Sequence, residues 1–298
     1  MSDNPNKLVE LSGDEKDLLV ERKATCPFIG SAVAQGKLSV RNDANDPLAS
    51  IEDLRRLGNT GGGDLGDLLV RFASGNHAFM LGDSNRLDKS VPSGLFSLEF
   101  PGSQGSHPGH SGILQGDPEI PGSGRRSEAD FARLTSRAMD GWIKRSDVGR
   151  FIAENLLKDP RSKVFGENTA TLLASDLVEF VETTGSVLMS KLFDSDADAS
   201  TTHRDTEEKL TKLVGEDNLV GSAGEFGLLF AFLANKPGAK DVEGEPAVAV
   251  QDLKAMFMDK HLPDGWETWK KSRINWVRNT TSLLISAGKE YWTLKRTQ

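Results

Sequence analysis

The one cysteine of the chain, Cys26, stands in Ala24-Thr25-Cys26-Pro27-Phe28, directly ahead of a stretch that reads as a helix. Proline suits a first helical turn because it lacks an amide hydrogen that the turn would leave unpaired. Phe28 to Gln35 can coil, and Gly36 is a natural stop. A sulfur at the positive end of that helix is favoured as thiolate by the exposed amides and the helix dipole. A thiolate there can act as a nucleophile, a redox sensor or the axial ligand of a haem iron. An unreactive, half-buried thiol is the plain alternative.

The longer run Cys26-Pro27-Phe28-Ile29-Gly30-Ser31-Ala32-Val33-Ala34-Gln35-Gly36-Lys37-Leu38 resembles the opening of the fungal haem-thiolate peroxidases, the chloroperoxidases and unspecific peroxygenases. Those proteins carry a Cys-Pro before a short helix, then a glycine leading into a polar loop. The resemblance implies an all-helical fold, a haem cofactor bound through Cys26, and peroxide-driven oxidation of a small organic substrate. It also implies an acidic triplet that binds a metal near a haem propionate. The nearest counterpart is Glu128-Ala129-Asp130, whose middle residue is alanine, so Glu128 and Asp130 are the implied ligands. Read from its residues alone, Ser127-Glu128-Ala129-Asp130 is an N-cap serine with acids in the first turn.

Peroxide chemistry needs a group that moves a proton between the two oxygens. Glu225 is the first candidate, because helical spacing puts it on one face with Leu228, Leu229 and Phe232. Apolar surroundings favour the protonated acid and so suit it to proton transfer. Ser222-Ala223-Gly224-Glu225 also fits the capping box, in which the glutamate folds back on the serine amide. Glu182, beside Val178 on a long helical stretch, is a second candidate. His77, in Gly75-Asn76-His77-Ala78-Phe79, is a third: a distal residue, a base for a Cys26 nucleophile, or a hydrogen-bonded core histidine.

Asp194-Ser195-Asp196-Ala197-Asp198 places carboxylates at alternate positions, an arrangement that suits a hard cation, Ca2+ or Mg2+. Asp194, Asp196 and Asp198 are its ligands in that reading, although Ala199 stands where the sharp turn calls for glycine. A solvated acidic loop is the alternative. His107 and His110 lie three apart in a Gly-rich loop without an adjacent third ligand. His261, before Leu262-Pro263-Asp264-Gly265, suits a helix carboxy end. Asn59-Thr60-Gly61-Gly62-Gly63-Asp64 lacks the Lys-Ser/Thr of a phosphate loop and follows no strand.

The elements that must position these groups read as mainly α. Helical spacing runs over 46–57, 64–80, 128–139, 146–157, 169–193, 223–234, 248–260 and 265–294, and alternating β patterns are scarce. The interval 91–126 is crowded with Gly, Pro and Ser and reads as a long loop draped over one large helical domain spanning 1–298. The net charge of −8 argues against general nucleic-acid binding. A single cysteine excludes an intramolecular disulfide and a Cys-rich zinc site. Met1 to Lys7 is polar with no apolar run behind it, and Phe226 to Ala234 is roughly half the length of a bilayer span. The expectation is a cytoplasmic protein without a membrane span. A non-catalytic helical binding or scaffold protein, tuned by calcium, is the competing reading.

Overall fold

The computed structural model describes residues 9–22, 27–43, 46–58, 95–97, 126–160, 162, 164, 218–233, 235–271 and 273–298. Within them the chain is mainly α with two small antiparallel sheets. No helix among the described residues is long and apolar enough to cross a membrane.

The first sheet has the order β1 (Val9–Glu10), β2 (Val40–Asp43), β3 (Asp46–Ser50), β4 (Leu95–Ser97). Helix α1 (Gly13–Arg22) and helix α2 (Pro27–Ala34) lie between β1 and β2. The helix expected over 46–57 therefore divides. Residues 46–50 pair with both β2 and β4, and α3 (Ile51–Gly58) starts only after Ser50. The Ser50 hydroxyl accepts the Asp53 amide at 3.2 Å, so this serine is the cap where coiling begins. Strand β4 also corrects the loop expected over 91–126: its register, Leu48 to Ser97 and Ala49 to Phe96, makes part of that interval a sheet edge.

The helical core is built from α4 (Glu128–Thr135), α5 (Arg145–Lys158), α6 (Asn218–Leu233) and the 23-residue α8 (Arg273–Lys295). Between α6 and α8 run β6 (Asp241–Val242), β7 (Glu245–Ala249) and a short α7 (Val250–Leu253). The last continues as one π-helical turn, Lys254–Met258, and a 3-10 turn follows at Trp266–Thr268. Strand β5 (Trp142–Lys144) pairs with β7, joining Ile143 to Val248. Pairing with β5 takes Val248 and Ala249 out of the helix expected from 248. Gly265 adopts a left-handed φ of 71°, which delays the last helix from the expected 265 to Arg273.

Helix α8 lies against both α5 and α6. Trp276, Thr280, Leu283, Leu284, Ala287 and Tyr291 are buried at helical spacing. Two glycines permit the approach. A Cβ added to Gly149 of α5 would meet the Ser286 side chain and come within 3.2 Å of the Ala287 nitrogen. One added to Gly227 of α6 would lie 2.8 Å from the Cα and the nitrogen of Thr280. Helix α6 is buried on nearly every side, which accounts for its almost uniformly apolar sequence.

Candidate functional site

Helix α2 begins at Pro27, as the sequence leads one to expect, and Cys26 itself lies outside the described residues. Every residue from Pro27 to Val33 is buried. The Ser31 hydroxyl sits within hydrogen-bonding distance of two carbonyls, Pro27 at 2.7 Å and Met256 at 3.1 Å, so α2 is held to the π-helical turn. No acidic residue occupies the first turn of α2, and its positive end is not offset by a carboxylate of its own. Gly36 closes the helix at φ 65°, with its amide donating to Val33 and the Lys37 amide donating to Ala32.

Phe28, the second residue of α2, stands at the centre of an aromatic cluster. Its ring lies 4.9 Å from Phe232 and 5.3 Å from Trp266, and those two are 5.2 Å apart. Contacts of this length are worth roughly 0.5–1.5 kcal/mol per pair beyond the area they bury. Two indole N–H groups fix the cluster to backbone, Trp266 donating to Leu57 and Trp269 donating to Phe232, each at 2.7 Å.

Glu225 is carried by α6, and here the capping-box reading is corrected. The helix starts at Asn218, one turn before Ser222, because Leu219 and Val220 are themselves core residues that prolong the coil. The Ser222 hydroxyl donates to the Asn218 carbonyl at 2.5 Å, and Glu225 is an interior residue of α6, not part of its cap. At 100° per residue, positions seven apart fall within 20° on the helix wheel and about 10.5 Å along the axis. Glu225 and Phe232 therefore share one stripe, and Phe232 is the ring that touches Phe28. The Glu225 Oε2 atom is sealed from solvent. Next to it, the Gly224 carbonyl accepts the Trp276 indole N–H at 3.0 Å, fixing this turn of α6 against α8. Phe226 stacks on Phe257 of the π-helical turn at 6.4 Å and meets Phe151 edge-on at 6.3 Å. The helix that opens after Cys26 thus packs on the helix that carries Glu225, through Phe28 and Phe232, two turns from the carboxylate.

Glu128 and Asp130 are drawn into a different arrangement. The Ser127 hydroxyl accepts the Asp130 amide at 3.2 Å, the capping role that their residue types alone foretold. Glu128 is exposed, whereas Asp130 is buried against Arg133 at 2.9 Å and Lys158 at 3.4 Å. Burial would raise the Asp130 carboxyl, but hydrogen bonds from Arg133 and Ser127 and the nearby cations hold it below the usual range. Glu154, one shell further, is treated likewise: burial opposes ionisation, and Arg137 and Arg133 outweigh it. Arg133 also lies over the Phe151 ring at 4.4 Å. This network was missed in the sequence; its local signs were the Asp130-to-Arg133 spacing of three and the Arg150-to-Glu154 spacing of four.

His77, Glu182, Asp194, Asp196 and Asp198 lie outside the described residues. Among the described residues no group of three or more His, Cys, Asp or Glu side chains is placed to hold a metal ion. His261 is exposed, and its amide donates to the Ala255 carbonyl at 2.7 Å as the π-helical turn ends.

A second feature adjoins the aromatic cluster. Lys271 is buried, with Nζ 4.5 Å from the Trp266 ring and 4.3 Å from the Trp269 ring. It donates to the Trp266 carbonyl and, at 2.9 Å, to the Trp269 carbonyl. Burial pushes its pKa down to about 8, with Glu267 opposing and Lys37 reinforcing the shift. Between that pH and the ordinary lysine value near 10.4, the unfolded chain binds a proton that the folded one has released. Stability should therefore be level below pH 8 and rise from there to about pH 10.4, by up to about 3 kcal/mol. Urea unfolding of wild type and Lys271→Met at matched pH measures it: wild-type stability should rise relative to that of the variant over that window. A constant difference would contradict the assignment.

No protein-family model, curated protein or solved structure matches the chain.

Proposed function

We propose that this protein is a haem-thiolate oxidoreductase that uses peroxide on a small organic substrate, with Cys26 as the iron ligand and Glu225 as the acid-base group. The observation that carries the reading is the shared stripe on α6. Glu225, with one carboxylate oxygen closed off from water, lies two turns from Phe232, and Phe232 packs on the residue next to Pro27. What supports a haem is the chemistry of the residues: a lone thiol ahead of a buried helix whose first turn holds no acid, with aromatic rings packed on that helix. A haem held there would supply peroxide activation, because thiolate donation favours cleavage of the O–O bond.

The chain's own residues would divide the remaining work. The first turn of α2 would hold the sulfur anionic through its free amides. The hydroxyl of Ser31 and the Phe28 packing keep that turn in place. Glu225 would accept a proton from one peroxide oxygen and return it to the other, a role that needs a carboxyl shielded from bulk water. Phe226, stacked on Phe257, flanks Glu225, whose Oε2 is buried while the residue as a whole is half-buried.

Titration of the purified protein with haemin tests the reading. The expected result is a Soret band that grows to a stoichiometric end point, together with peroxide-dependent oxidation of a small aromatic reporter. A protein that takes up no haemin under these conditions would overturn it.

A further inference from the structure

The last helix carries a charge pattern that the proposed chemistry does not use. From Lys270 to Arg296 the chain holds Lys270, Lys271, Arg273, Arg278, Lys289, Lys295 and Arg296 against one acid, Glu290, in a protein whose net charge is −8. Two of these arginines and one lysine share one exposed side of the helix. Arg278, Ile285, Lys289 and Arg296 fall at spacings of seven, four and seven, within about 20° of one direction on the helix wheel. All four are exposed, Ile285 to 41%. The stripe is about 27 Å long. Glu290, the one acid of α8, stands about 120° away from it. Among the described residues Arg278, Lys289 and Arg296 form no ion pair.

Near its amino-terminal end the stripe adjoins a second guanidinium. Arg145 of α5 donates to the Asn279 side chain at 2.9 Å, beside Arg278. Burial weakens the hold of Arg145 on its proton; Glu245 opposes this more than the charge of Arg278 adds to it, and Asp241 opposes it further.

We infer that the outer face of α8, from Arg278 through Ile285 and Lys289 to Arg296, is a docking surface for an acidic polypeptide segment. The partner's Asp and Glu side chains would pair with the three cations, and an apolar side chain would cover Ile285. A lipid surface fits less well, because the apolar side of α8 is spent on α5 and α6 and leaves one isoleucine to insert. A duplex fits less well because the rest of this acidic chain would repel its phosphates.

Binding of a fluorescent poly-glutamate peptide to the full chain tests the inference, with phosphatidylserine vesicles and duplex DNA as the other arms. The expected result is salt-sensitive binding of poly-glutamate that falls about tenfold in the triple variant Arg278→Glu, Lys289→Glu, Arg296→Glu, given the modest worth of each exposed pair. Lys254→Glu, which reverses an exposed lysine on the π-helical turn, should leave binding within twofold of wild type. Haemin uptake by the triple variant should be unchanged, which separates this surface from the proposed active site. Equal poly-glutamate binding by wild type and the triple variant would overturn the inference. So would a clear preference for vesicles or DNA.

Discussion

A Glu225→Gln variant should lose about 10²–10⁴-fold in peroxide-dependent turnover, the usual worth of a positioned proton-transfer group. Glutamine matches glutamate in size and keeps its capacity to hydrogen-bond, but it cannot take a proton from one oxygen and return it to another. Because α6 is built on burial and not on a cap at this position, the exchange leaves the helix in place. Haemin uptake should therefore be the same in the variant and in wild type. Glu128→Gln supplies the comparison, since that carboxylate is exposed and serves only the first turn of α4. Turnover that survives Glu225→Gln within a factor of about three would remove the acid-base role from this residue.

The second large effect concerns stability. Gly227→Ala should destabilise the protein by about 3 kcal/mol, the upper part of the usual overpacking range. Two effects oppose each other here. Alanine is favoured over glycine inside a helix by roughly 1 kcal/mol. Its methyl, however, would stand 2.8 Å from two backbone atoms of Thr280, and neither helix can retreat from the other without opening the core. Steric conflict wins because backbone, unlike a side chain, has no rotamer to escape into. At Gly149 the nearest obstruction is the Ser286 side chain, and the closest backbone atom is 3.2 Å away, so Gly149→Ala should cost about 1 kcal/mol. Urea midpoints should rank wild type above Gly149→Ala and Gly149→Ala above Gly227→Ala. A reversed order would show that α8 is not seated as described. Displacement of α8 would also disturb the Trp276 bond to Gly224, next to Glu225, so the tighter contact bears on the proposed site as well.

Elements specified by neighbouring residues were the legible ones. Pro27 and Gly36 mark both ends of α2, and the apolar spacing of Val148, Phe151, Ile152 and Leu156 locates α5 to within a residue of the expected 146–157. What depends on distant partners was hidden. Residues 46–50 and 248–249 read as helix on paper but are strand because β2, β4 and β5 pair with them. The same holds at the site. The fit of Ser222 and Glu225 to a capping box is a local pattern, and it fails because Leu219 and Val220 carry the helix past it. Placing Glu225 on an apolar stripe with Phe232 follows from helical spacing alone, but that this stripe meets Phe28 follows only from the packing. Lys271 shows the limit most plainly. The spacing of Trp266, Trp269 and Lys271 is visible in the chain, yet nothing in it says that both rings turn onto the ammonium.

The central claim is that the sulfur ahead of Pro27 is an iron ligand. The most direct test is the absorption spectrum of the haemin-loaded, reduced and carbon monoxide-treated protein, recorded for wild type and for Cys26→Ala. The account predicts the red-shifted Soret band of a thiolate-bound ferrous carbonyl in wild type and its disappearance in the variant. The same band in both proteins, or a wild-type spectrum typical of imidazole ligation, would contradict it.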